Sequence, residues 1–118
     1  MTDDTDAVPE YDPDRPTALS TADELDALVA SEELVLVEFY TSGCSICQSM
    51  EPILSNVARE SDAVVATMNP RDDPPLVEEY DVRSVPLLLL FSEGELVDRL
   101  ADGFVETDRL VEFVEQEE

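Results

Sequence analysis

The chain has 118 residues, 43% of them hydrophobic, which is enough to bury the core of one compact domain. Thirty acidic residues face six basic ones, all arginine, and the formal net charge of −24 argues against direct binding to nucleic acid or to an anionic membrane. The acidic residues are spread along the chain. We interpret them as a halophilic adaptation, because the Debye length is only about 3 Å in 1 M salt and the self-repulsion is then screened.

No apolar stretch approaches the roughly 18 residues that a membrane-spanning helix needs, and the longest run, residues 85–91, has the length of a strand. Residues 1–6 are acidic, whereas a secretory signal starts with a basic and then an apolar segment. We therefore expect a soluble cytoplasmic protein.

The first predicted elements follow an acidic tail. Residues 1–16 contain three prolines and many aspartates, a composition that predicts a disordered tail before a domain over residues 17–118. A short edge strand is expected at residues 17–19. Thr21 and Glu24 have the spacing of a capping box, so a helix is expected to follow, to about residue 31.

The middle of the chain alternates strands and helices. Residues 34–40 are almost continuously apolar and predict a central strand buried on both faces, interrupted by Glu38. A turn at residues 41–43 leads to a helix expected over residues 44–60 and kinked at Pro52. A strand at 63–68 and a short helix at 74–80, opened by a proline, come next.

The last third predicts an antiparallel hairpin and a helix. Two strands, residues 87–91 and 96–100, flank a tight turn at residues 93–95. Thr107 is expected to cap the final helix. The whole order calls for a mixed sheet with helices on both faces.

The pair Cys44 and Cys47 carries the obvious chemistry. Two cysteines three residues apart can close a small disulfide ring, and a helix N-terminus after a buried strand favours a thiolate over a thiol. The thiolate is the species that attacks a disulfide. Cys44, at the helix edge, is therefore the expected attacker, and Cys47, one turn further, is placed to attack the mixed disulfide that results.

A metal site or a purely structural disulfide is a weaker explanation for the presence of Cys44 and Cys47. A zinc or iron–sulfur site needs about four ligands, but the chain has two cysteines and no histidine, so we expect no metal or other cofactor. A structural disulfide across so short a loop gains little stability. Two inert buried cysteines remain an alternative.

Several spaced features together resemble the thioredoxin family. In chain order they are residues 36–40, the cysteine pair at 44–47, Pro52, residues 80–91, the turn at 93–95 and Gly103. The resemblance covers residues 17–118. It implies an α/β thioredoxin fold: a central mixed β-sheet of parallel strands and a C-terminal antiparallel hairpin, flanked by helices on both faces. It also implies a protein-disulfide oxidoreductase with Cys44 as nucleophile and Cys47 as resolving cysteine.

The resemblance implies roles for three more residues. Pro86 would follow a cis peptide bond, and the backbone of Val85 would pair with an extended substrate segment, as in β-augmentation; a trans Pro86 at a strand start is the alternative. Glu38 aligns with a buried acid beneath the second cysteine. Burial should raise its pKa and allow it to take the proton of Cys47, unless the strand register turns Glu38 to a solvated edge.

Three substitutions, covering four residues, depart from the family pattern. Gly43 replaces a tryptophan, Ser45 and Ile46 replace Gly-Pro between the cysteines, and Thr67 aligns with a lysine that often accompanies the buried acid. Our hypothesis is a redox potential less reducing than the roughly −270 mV of thioredoxin.

The resulting functional prediction is a monomeric reductant of protein disulfides. Its partners would be disulfide-containing proteins and a disulfide reductase that donates electrons. Two alternatives remain: a peptide-binding module for which the cysteines act only as a redox switch, and a more oxidising disulfide oxidase or isomerase.

Overall fold

The computed structural model describes residues 14–116, and a five-stranded mixed sheet is its centre. The strand order is β1-β3-β2-β4-β5. β1 and β2 both run parallel to β3, whereas β4 is antiparallel to β2 and β5 to β4. The strands are Thr17–Leu19, Leu34–Phe39, Val64–Met68, Leu87–Ser92 and Glu95–Leu100. The predicted combination of parallel strands and an antiparallel hairpin is confirmed.

Within the described residues, five α-helices cover the two faces of this sheet. They are α1 Ala22–Ser31, α2 Ser45–Ser49, α3 Glu51–Glu60, α4 Pro75–Glu79 and α5 Thr107–Glu115. Apolar side chains of α1 and α4 share one buried cluster with the sheet, and those of α3 and α5 share the other. A 3₁₀ turn at Pro70–Asp72, which the sequence pattern did not predict, follows β3.

β2 is the central strand, and it is buried along its whole length. Its side chains alternate between the clusters: Leu34 and Leu36 pack on the side of α3 and α5, while Val35 and Val37 pack on the side of α1 and α4. Since successive side chains point to opposite faces, the same alternation directs Glu38 toward α3. The predicted double-sided burial of this strand is confirmed.

The start of α1 follows the predicted capping box with one shift. The Thr21 hydroxyl accepts a hydrogen bond from the Glu24 backbone N–H at 3.1 Å, as the motif requires. The Glu24 carboxylate accepts from the N–H of Ser20 at 2.7 Å, one residue before the usual partner.

Two helix predictions are wrong in detail. The helix expected over residues 44–60 is two helices, α2 and α3, that meet at Met50. Pro52 has no N–H to donate to the carbonyl four residues earlier, so the ladder breaks at this point instead of bending. Thr107 is the first residue of α5 rather than its cap: Glu106 is the N-cap residue, and the Thr107 hydroxyl accepts from Asn56 Nδ2 at 3.3 Å.

The hairpin between β4 and β5 has a two-residue turn. Glu93 and Gly94 have φ values of 53° and 87°, the left-handed conformation that two-residue hairpin turns of type I′ need at both positions. Ser92 and Glu95 form the last paired residues, and a register shift lies between Leu90 and Phe91. The turn is therefore one residue shorter than the predicted 93–95.

The tail predicted over residues 1–16 lies mostly outside the described residues, which begin at residue 14. Its last residue, Pro16, is half-buried, and β1 begins at the next residue, Thr17. No helix within residues 14–116 is both long and apolar enough to cross a bilayer.

Candidate active site

Cys44 and Cys47 form a disulfide at the start of α2. The turn after β2 reaches this helix through Gly43, whose φ of +82° is the left-handed conformation that favours glycine. Cys44 is the N-cap residue, and its Cα lies 5.3 Å from that of Cys47. Cys47 is 4% exposed and Cys44 only half-buried, so Cys44 is the sulfur that a large substrate can reach.

A backbone hydrogen bond favours the charged form of the outer sulfur. The N–H of Cys47 points at Cys44 Sγ at 3.2 Å, as at a helix cap. After reduction this donor would stabilise a thiolate at Cys44 more than a thiol, because a hydrogen bond to a charged acceptor is the stronger one. The predicted division of the pair, an accessible Cys44 and a sheltered Cys47, agrees with this geometry.

Val85 and Pro86 lie at the same edge of the sheet as the disulfide. The bond between them is cis, as expected from the resemblance. β4 begins at Leu87, which pairs with Phe39 at the end of β2, so the loop before β4 and the turn after β2 are neighbours. Pro86 is buried and Val85 half-buried.

Glu38 lies beneath the cysteine pair in a buried position. Only 2% of its surface is exposed, which excludes the alternative of a solvated strand edge. Burial, and secondarily the negative charge of Glu51, raises the pKa of Glu38 from 4.5 to about 7. Among residues 14–116, Glu38 Oε2 has no hydrogen-bond partner.

A cavity of about 390 Å³ connects Glu38 with the inner cysteine. Its lining includes Glu38, Cys47, Glu51 and Thr67. The Glu38 carboxyl group and the Cys47 sulfur therefore face one space that is large enough for several water molecules. This arrangement can move a proton between Glu38 and Cys47 through water.

Glu51 is a site residue that the sequence pattern did not reveal. It is exposed at the first position of α3 and faces the cavity of Glu38. Residue 51 follows residue 47 by four positions, but Met50 separates α2 from α3, so this spacing does not by itself place the two side chains on one helix face. No group of three or more His, Cys, Asp or Glu that could hold a metal occurs within residues 14–116.

Comparisons with known proteins agree with this geometry. The thioredoxin family model matches residues 16–116. A thioredoxin of Chlamydia caviae is 32% identical over 97 residues, covering 81% of this chain and 93% of that protein. The chloroplastic thioredoxin Y2 of Arabidopsis thaliana is 35% identical over 92 residues, covering 76% of this chain and 54% of that protein.

Solved structures show the same fold. A mutant thioredoxin from Halobacterium salinarum NRC-1 superposes with a TM-score of 0.85 at 33% identity, covering 92% of this chain and 96% of that one. The oxidised thioredoxin of Plasmodium falciparum, at 20% identity and a TM-score of 0.76, supports the fold alone. A family model that spans residues 16–116, with a disulfide of the expected spacing at its centre, shows that this chain belongs to the thioredoxin family of thiol–disulfide oxidoreductases.

Proposed function

We propose that this oxidoreductase acts as a cytoplasmic reductant of protein disulfides. The Cys44 thiolate attacks a substrate disulfide, a bond forms between Cys44 Sγ and one substrate sulfur, and the other substrate sulfur leaves as a thiolate. Cys47 then attacks Cys44 Sγ, which releases the second substrate thiol and leaves the Cys44–Cys47 disulfide. Two electrons pass to the substrate, and a disulfide reductase restores the dithiol.

One observation supports this proposal most strongly: the accessible sulfur of Cys44 and the sheltered sulfur of Cys47 lie next to the carboxyl group of Glu38, which can bind a proton. Cys47 must lose its proton to attack, and Glu38 faces the same cavity with a pKa raised to about 7. A base whose pKa lies near the working pH is the most effective proton acceptor. Glu38 is thus our candidate for the group that takes this proton.

Val85 and Pro86 are our candidates for the substrate contact. They lie in the loop before β4, beside the disulfide-bearing turn, and the main chain of such a loop can pair with an extended segment through hydrogen bonds. Such pairing recognises the backbone and tolerates many sequences, which suits a reductant of several proteins.

Replacing Cys47 by Ser tests the proposal. The variant should accumulate mixed disulfides with substrate proteins through Cys44, because the second step is blocked, and Cys44→Ser should accumulate none. Mass spectrometry of captured complexes reads the result. Partners that bind equally well to the Cys44→Ser/Cys47→Ser double variant would instead favour a redox-switched peptide-binding module.

The direction of exchange depends on the redox potential. We propose a value less reducing than the roughly −270 mV of thioredoxin, since residues 45–46 and Thr67 differ from the family pattern around the pair. Equilibration with glutathione measures it. A potential at or below that of thioredoxin would contradict this part of the proposal, and a strongly oxidising one would favour an oxidase or isomerase.

We also propose that the protein is a halophilic monomer. Its support is the net charge of −24, which destabilises a compact chain unless salt screens it. The unfolding midpoint should rise with KCl toward about 1 M and beyond, where the Debye length is near 3 Å. Equal stability in dilute and concentrated KCl would contradict the halophilic interpretation, and sedimentation measures the oligomeric state.

A further inference from the structure

Two depressions of opposite charge flank the turn that carries the disulfide. One is the cavity of Glu38 and Glu51; no basic residue is among those described in its lining. The other, which we call the arginine groove, has a volume of about 250 Å³. Thr41 lines both. The described lining of the arginine groove holds two arginines and no acidic residue: Thr41, Pro70, Arg71, Val77, Val82, Arg83, Ser84 and Val85.

This concentration of positive charge contrasts with the rest of the chain. Only six basic residues face thirty acidic ones, yet two of the six line one groove. A third, Arg99, donates hydrogen bonds to the carbonyl oxygens of Tyr80 at 2.9 Å and Asp81 at 3.1 Å, and so fixes the backbone just before Arg83. Half of the basic residues therefore support or line this one site.

The two groove arginines are available to a ligand. Arg71 is exposed, and its backbone N–H is held by Asn69 Oδ1 at 3.0 Å. The Arg83 side chain is 83% exposed, and its ion pair with Asp81 uses Nε at 3.0 Å, so the terminal Nη groups take no part in it. An exposed pair of this kind is weak and can yield to a competing carboxylate.

The position of the groove connects it with substrate binding. Val85, our candidate for the backbone contact, is part of its lining. A segment that pairs with Val85 would place its neighbouring side chains over Arg71 and Arg83, while Val77 and Val82 offer apolar contact to the methylene groups of Asp or Glu. Guanidinium groups bind carboxylates in a bidentate geometry that ammonium groups cannot reproduce.

We infer that the arginine groove selects protein disulfides whose cysteine is flanked within a few residues by acidic side chains. This inference rests on the proposed function and adds a substrate class to it. In dilute salt the charge of −24 repels an acidic partner at long range. Concentrated salt screens that long-range repulsion, whereas the bidentate hydrogen bonds between a guanidinium and a carboxylate form at contact and persist, so the groove then determines which peptide is preferred.

Reduction of matched peptides tests this inference. Each substrate is a peptide dimer linked by one intermolecular disulfide, and the two substrates differ only in having Glu or Gln on both sides of the cysteine. The second-order rate constant for reduction of each substrate by the reduced full-length protein is measured in about 2 M KCl, where screening is strong. We expect the Glu peptide to react about fivefold faster, the effect of a few weak exposed ion pairs. In Arg71→Gln/Arg83→Gln this ratio should fall to about one.

A matched control separates local from overall charge. Arg59→Gln/Arg109→Gln removes the same charge from arginines that bond to Asn56 and Asp102, away from the groove, and should keep the preference. A ratio that survives in Arg71→Gln/Arg83→Gln, or is lost equally in the control, would overturn the inference. If wild type reduced neither peptide, the proposed function would fail as well; if it reduced both equally, the inference alone would fail.

Discussion

Replacing Glu38 by Gln should remove a large pH dependence from the stability of the fold. The pKa of Glu38 is about 7 in the folded protein against an ordinary value of 4.5, a difference of about 2.5 pH units. Each pH unit corresponds to about 1.4 kcal/mol, so ionising Glu38 in the folded state costs about 3 kcal/mol relative to the unfolded chain. Gln keeps the shape of the side chain and does not titrate.

The direction of this pH dependence follows from where the proton is bound. Between pH 4.5 and about 7 the unfolded chain has released this proton while the folded protein still holds it. The free energy of unfolding of the wild type, relative to Glu38→Gln, should therefore fall by about 1.4 kcal/mol per pH unit across this window and level off above it. The stability that protonated Glu38 contributes to the folded protein is fully present below pH 4.5 and is lost as the pH rises through about 7.

Urea unfolding in concentrated KCl measures the effect. The oxidised protein is used at every pH so that the cysteines do not titrate, and the quantity of interest is the difference between wild type and variant. Glu60→Gln, at the exposed end of α3, is the matched control and should follow the wild type. Parallel curves for wild type and Glu38→Gln from pH 4.5 to about 7 would refute the reasoning.

Three further outcomes are expected. Glu51→Gln should lower the pKa of Glu38, because the second cause of its rise is removed, and the midpoint of the stability difference should move to lower pH. Glu38→Gln should slow the release of substrate thiol from the mixed disulfide by about a hundredfold in stopped-flow assays near neutral pH, the usual contribution of a general base; an unchanged rate would exclude Glu38 as the base. Gly94→Ala should lower stability by about 1 kcal/mol in thermal unfolding, because its φ of +87° strains any residue with a Cβ. Asn at this position should cost less, and an equal loss would contradict the turn assignment.

Features decided by local sequence were predictable. The apolar runs of the central strands, the Thr21 cap and the Glu-Gly turn each follow from neighbouring residues, and each is confirmed to within a residue or two. The cysteine pair belongs to the same class, because its spacing alone defines it. The double burial of β2 could also be read from its composition, since few sequences are apolar on both faces of a strand.

Features decided by packing were not predictable. Glu51 opens α3 and lines the Glu38 cavity, and this placement depends on how α3 docks on the sheet. Arg71 and Arg83 line one groove because a 3₁₀ turn and α4 fold the chain between them back on itself. The spacing of residues along the chain does not predict which of them the tertiary structure brings together.

The neutral side chain of Thr67 in the Glu38 cavity affects the pH range in which Glu38 can accept a proton. Thr67 occupies the position where the family often has lysine, and a nearby cation would hold Glu38 ionised at neutral pH. Here burial and Glu51 act in the opposite direction, so that near pH 7 about half of the molecules carry the proton and half can accept one. Resolution by Cys47 should therefore accelerate as the pH rises through about 7, when more Glu38 is free to accept its proton. Introducing a cation with Thr67→Lys should move that rise to lower pH; a profile that stayed in place would show that Glu38 does not control the step.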